Sequence, residues 1–118
     1  MTSKQKITIP LQDFANILFC EVFGEKEAPE NLPLQEFVDV LSTLTDKEEA
    51  VIRMKLGQNA TDEEICKLLG IPFGRLSPDD PDYSPEVDPE KTHLDIIYRQ
   101  ALRKLRHPSR NKRIKPVA

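Results

Sequence analysis

Two helix starts of one design, at Thr45 and again at Thr61, constrain what this chain can fold into more than any other feature. Thr45-Asp-Lys-Glu48 and Thr61-Asp-Glu-Glu64 are both capping boxes. In each, the threonine hydroxyl accepts from the third helical amide while the glutamate reaches back to the threonine's own amide. Val51, Ile52, Met54 and Leu56 follow the first start, and Gly57 closes that helix. Ile65, Leu68 and Leu69 form the apolar face behind the second, with Gly70 as its stop. Two short capped helices joined by a brief Gly/Asn connector make one half of a helix-turn-helix.

The flanking sequence adds helices and no convincing strand. From Pro10 to Phe23, Leu11, Phe14, Leu18 and Val22 recur at three- and four-residue steps, and Gly24 lies just past the end. Glu25–Leu32 is acidic and turn-like. A second helix is expected over Pro33–Leu44, burying Leu34, Phe37, Val38 and Leu41. The apolar faces of these first two helices either complete the core or dock on a partner.

After Gly70 the pattern breaks. Prolines at 72, 78, 81, 85 and 89 accompany six acids (Asp79, Asp80, Asp82, Glu86, Asp88 and Glu90), with no cation between Leu76 and Glu90. Such a segment cannot sustain helix or sheet and reads as an extended loop. Asp88 then caps a last helix, with Pro89 at its first position and Leu94, Ile97, Tyr98, Ala101 and Leu105 along one face. The expected fold is all-α: a small bundle of about five helices, with residues 1–44 preceding a helix-turn-helix unit over 45–110 and a basic tail over 111–118.

Charge is segregated. Residues 94–118 hold eight lysines and arginines against one acid, a net of +7, while residues 1–93 hold nine against nineteen, a net of −10. The whole-chain isoelectric point of about 5.4 therefore hides a local basic surface of the kind that meets phosphates. Its centre is Ala101-Leu-Arg-Lys-Leu-Arg-His-Pro-Ser-Arg110, in which Leu102 and Leu105 face inward and Pro108 stops the helix. No stretch approaches eighteen apolar residues and the amino terminus lacks a signal-type apolar core, so a cytoplasmic location is expected. Cys20 and Cys66 read as reduced, buried thiols. With His93 and His107 they show none of the paired spacing that zinc ligands require, so neither metal nor cofactor is expected. No nucleophile, phosphate loop or paired acid and base is placed by spacing, so the chain does not read as an enzyme.

Leu44-Thr-Asp-Lys-Glu-Glu-Ala-Val-Ile-Arg-Met-Lys-Leu-Gly57, Thr61-Asp-Glu-Glu-Ile65 and Ala101–Arg110 together resemble region 4 of primary sigma factors of bacterial RNA polymerase. The resemblance covers residues 41–71 and 94–113. It implies a helical domain whose helix-turn-helix enters the major groove of the −35 promoter element and whose first half docks on the flap of the polymerase β subunit. Double-stranded DNA, with RNA polymerase, is thus the implied partner, and no membrane is involved. Lys91, Thr92 and His93 would face the groove, Arg99, Arg103, Lys104, Arg106 and Arg110 would grip phosphates, and Thr61 would meet the backbone beside them.

Two departures from that family qualify the implication. About eighteen additional residues, near Phe73–Glu90, replace a tight turn. The base-reading positions fall on Lys91, Thr92, His93 and Asp95 where the family favours arginines with a glutamate. Threonine cannot make paired hydrogen bonds to a base edge, and Asp95 repels phosphate. Aromatic-rich counterparts of the promoter-melting regions are lacking, which suggests a free-standing region-4-like protein. The runner-up is an interaction module that docks on the polymerase or on another sigma factor through Thr45–Gly57 without reading DNA. The acidic loop, tethered within reach of eight cations, reads as an ordinary solvated loop or, alternatively, as a screen that lies across the basic helix until DNA competes it away.

Overall fold

A computed structural model of the chain describes residues 7–81 and 91–115. Among them run α1 (Leu11–Phe23), α2 (Leu34–Leu41), α3 (Asp46–Gly57), α4 (Asp62–Leu69), α5 (His93–Arg106) and α6 (Pro108–Ile114). The fold is all-α, as expected.

The glycine and threonine signals at most helix ends operate as read. Gly24 (φ 67°) and Gly70 (φ 69°) take the left-handed conformation behind α1 and α4, and their amides donate to Cys20 O and Cys66 O. Both capping boxes are closed: Glu48 N donates to Thr45 Oγ1 at 3.2 Å and Thr45 N to Glu48 Oε1 at 3.1 Å. At α3 the stop differs from expectation. Gly57 is its last helical residue, and the left-handed residue is Asn59 (φ 53°). Gly57 is needed for a different reason. Thr8 donates its amide and hydroxyl to Gly57 O at 2.9 and 3.0 Å, and a β-carbon at 57 would stand 3.2 Å from both Ile7 and Phe14.

Other boundaries move for local reasons. α2 ends at Leu41 rather than Leu44, because the Ser42 and Thr43 hydroxyls turn back onto Asp39 O and Val40 O, each at 2.6 Å. The expected cap of the last long helix, Asp88 with Pro89, lies outside the described residues. α5 itself starts at His93 on a third capping box, in which Asp95 N donates to Thr92 Oγ1 at 3.1 Å and Thr92 N to Asp95 Oδ2 at 3.2 Å. Pro108 stops α5 and also opens α6, whose first position suits a residue without an amide proton. Residues 111–114, expected in a basic tail, are therefore helical, and Ile114 is fully buried.

The core has two parts that meet at α3. In the larger, Phe14 and Leu18 of α1, Phe37 and Leu41 of α2, Ile52 of α3, Leu102 and Leu105 of α5 and Ile114 of α6 close on one another. The smaller joins Val51 and Met54 of α3, Ile65 and Cys66 of α4, Ile71, and Leu94 of α5. Tyr98 touches both. Each fully buried side chain of this kind stabilises the fold by about 1.5–3 kcal/mol. The first two helices thus complete the core. Leu68 is an exception to the expected pattern: it is 59% exposed, because the inward arc of the eight-residue α4 is filled by Ile65, Cys66 and Leu69.

Between α4 and α5 the chain closes on itself. Arg75 and Thr92 form an antiparallel bridge, and Leu76 N donates to Lys91 O at 3.0 Å. Leu76 is buried beneath this junction. Leu76 and Lys91 are thus neighbours in space although fourteen residues separate them in sequence.

Candidate nucleic-acid interface

The residues expected to meet DNA differ in exposure and in how they are held within the bundle. α5 buries Leu94, Ala101, Leu102 and Leu105 and exposes Arg99, Gln100, Arg103 and Arg106 on its other side. Arg99, Arg103 and Arg106 follow each other at four- and three-residue steps, so they share one ridge of the helix.

Of the cations assigned to phosphates, Lys104, Arg106 and Arg110 make defined contacts within the protein. Arg106 donates from Nε to Val22 O at 2.7 Å and from Nη2 to Glu21 O at 3.0 Å, which satisfies carbonyls at the C-terminal end of α1. Lys104 Nζ lies 2.8 Å from Glu48 Oε1. Arg110 Nε donates to Thr43 Oγ1 at 2.9 Å. Arg113, further on, pairs with Glu36 of α2 at 2.9 Å. Much of the basic string therefore fastens α5 and α6 to α1, α2 and α3.

Glu48 shows what that fastening does to charge. Burial alone would raise its carboxyl, but the Lys104 ammonium and the amide and hydroxyl of Thr45 outweigh burial and hold it below its usual range. Tyr98 is shifted the other way: burial first, then the Glu21 carboxylate that accepts its hydroxyl, push the phenol far up. Lys55 lies over the Tyr98 ring at 5.1 Å and pairs with Asp62 at 3.1 Å, bracing α3 against α4 and α5. Burial, reinforced by Asp62 and opposed by Lys55, raises the Cys66 thiol, consistent with an inert core residue. Cys20, expected to be buried, is half-exposed.

The leading end of α5 is also more occupied than its sequence suggested. The Thr92 hydroxyl accepts the Asp95 amide, so it serves the helix start before it could serve a base. Asp95, read as a residue that repels phosphate, is the other half of the same box. Lys91 and His93 are half-buried at the first turn. The Thr61 hydroxyl, at the exposed start of α4, accepts from Glu64 N at 3.2 Å and donates to Glu64 Oε1 at 2.9 Å. His107 caps both neighbouring helices: its amide donates to Lys104 O at 3.2 Å at the end of α5, and its Nδ1 accepts from Ser109 N at 3.2 Å at the start of α6.

The sequence reading named Asp80 only as one of six loop acids and missed its place beside His93. Ser77 N and Ser77 Oγ both donate to Asp80 Oδ2, at 2.9 and 3.1 Å, and the same oxygen lies 3.9 Å from His93 Nε2. The Ser-x-x-Asp spacing repeats the hydroxyl-to-acid spacing of the capping boxes and was the available signal. Among the described residues no group of three or more His, Cys, Asp or Glu could hold a metal ion, and no helix is long and apolar enough to cross a membrane.

An all-helical domain in which two capped helices stand on a third, the second of them basic at its far end, is of the helix-turn-helix type, and its sequence is similar to part of a bacterial sigma factor. The particular proteins it resembles include the RNA polymerase sigma factor SigA of a Bacillus species, 36% identical over 85 residues. The SigA of Listeria monocytogenes serovar 1/2a is 35% identical over 85 residues. Each alignment spans 69% of this chain but 18% of the relative, so the likeness is to one part of a much longer protein. No protein-family model matches the chain, and no solved structure shows significant similarity to it.

Proposed function

We propose that this chain is a transcription protein that contacts duplex promoter DNA in the manner of sigma region 4. Lys91, Thr92 and His93 turn toward the groove, and Arg99 and Arg103 lie along the phosphates. Lys104, Arg106 and Arg110 sit beside them as secondary contacts, and the amides at Thr61 approach the adjoining backbone. The observation that carries this reading is the exposure of Arg99 and Arg103 one turn apart on α5, opposite a face buried in both core clusters. The likeness to SigA supplies the context of promoter and polymerase.

A specific observation supports a second reading, docking on RNA polymerase or on another sigma factor without DNA contact. Lys104, Arg106 and Arg110 are held by Glu48, by the end of α1 and by Thr43, which reduces the charge free to meet phosphates. Against it stands the burial of α3, the half assigned to the β flap, where Asp46 and Lys47 of the first turn are the exposed helical residues.

Binding to random duplex DNA as a function of salt separates the two. The wild type is expected to show a log–log slope of several units, and Arg103→Ala to reduce it by about one. Arg103 is the informative position because it is exposed and its replacement spares the contacts to α1, α2 and α3. A flat response unaffected by Arg103→Ala, together with retention on the isolated β flap, would replace the DNA reading with the docking one.

A further inference from the structure

We infer that Asp80 is a built-in competitor for DNA at the leading end of α5, holding His93 until a phosphate displaces it; the inference rests on the DNA-binding reading above. The Arg75–Thr92 bridge and the Leu76–Lys91 hydrogen bond fix the start of the loop directly against the first turn of α5. Immediately beyond this root, Ser77 and Asp80 form a closed four-residue turn. Asp80 N donates to Ser77 O at 3.0 Å, while the Ser77 amide and hydroxyl both donate to Asp80 Oδ2. The carboxylate is thereby held in one place, with Oδ2 3.9 Å from His93 Nε2 and both side chains about a third exposed.

The consequence is electrostatic. His93 is the first residue of α5, and its Nε2 is the atom with which it would reach a phosphate or a base edge. A carboxylate oxygen standing before that nitrogen occupies the place of an incoming anion and repels the phosphate behind it. When the imidazole is protonated the two also form an ion pair. Duplex approach to this end of α5 therefore requires Asp80 to give way. Charge neutralisation at 80 removes the obstacle without removing the turn, because an asparagine oxygen still accepts from Ser77.

The experiment measures affinity for a random duplex at low and at moderate salt for the wild type, Asp80→Asn, His93→Ala and the double variant. Circular dichroism and melting temperature confirm equal folding. Asp80→Asn should bind about threefold or more tightly at low salt, with the gain shrinking as salt rises. It should be clearly smaller in the His93→Ala background, where only the carboxylate's general repulsion of phosphate is relieved. Unchanged affinity on Asp80→Asn, or an equal gain with His93 removed, would overturn the assignment while leaving DNA binding itself intact. If no variant binds DNA in a salt-dependent way, and Arg103→Ala is silent as well, the DNA reading itself falls and the assignment with it.

Discussion

Glu48 illustrates how a single residue serves several elements at once. Its carboxylate closes the α3 capping box, accepts from Lys104 of α5, and is almost wholly shielded from water. Because its pKa is lowered in the folded state, the unfolded chain binds the proton more readily, and stability rises with pH across the interval between the two values. The contribution is complete above the ordinary carboxylate range and is lost as pH falls through the lower native value. Glu48→Gln keeps a capping-box side chain but removes the charge. It should cost about 1–2 kcal/mol at pH 7, at the low end for a charged hydrogen bond because Lys104 is partly hydrated. Urea midpoints of the two proteins should converge on acidification towards pH 3. A constant difference across that range would show that the pair does not carry the effect.

At the scale of elements, the three threonine starts behave alike although two were legible in sequence and one was not. Thr45 and Thr61 carry a glutamate three residues on, the usual capping-box acid. Thr92 carries an aspartate and follows an Asp-Pro pair at 88–89, itself a usual helix-start signal. What selects Thr92 is its pairing with Arg75, which holds it extended at φ −109° and ψ 166° and so places it outside the helix. That pairing yields a prediction. Replacing residues 77–90 by a two-residue Asn-Gly link should preserve the fold, since Leu76 and Lys91 already face each other and such links suit paired antiparallel ends. The shorter closure should stabilise the protein by about 1–2 kcal/mol, read as a rise in melting temperature. Loss of cooperative melting would show that the loop helps to build the α4–α5 arrangement.

For the molecule as a whole, the first two helices pack against the last two. α1 and α2 share the larger core cluster with α5 and α6, and the cations of the basic string link the C-terminal segment to the first three helices. Ile114 tests this directly, because a residue in a loose tail would tolerate truncation. Ile114→Ala should destabilise the protein by about 2–4 kcal/mol, the usual range for removing a fully buried aliphatic side chain. A change below about 0.5 kcal/mol in urea denaturation would return residues 111–115 to the status of a tail.

The helical class, most helix ends and most of the buried face are legible in local sequence, because these depend on interactions within three or four residues. A threonine and a glutamate find each other inside one turn, glycine adopts a left-handed stop at 24 and 70 at low cost, and apolar spacing follows the helical repeat. Where the charges go is settled instead by packing between distant segments. Arg106 and Arg110 look in sequence like phosphate ligands, yet Val22 O, Glu21 O and Thr43 lie more than sixty residues away along the chain, and no local pattern announces them. The same holds for Leu68, turned outward by the packing of α4 on α3, and for Asp80, brought to His93 by a bridge formed across the loop. A long cationic side chain takes whichever anion or carbonyl the fold brings within reach, and that choice is made by packing at a distance.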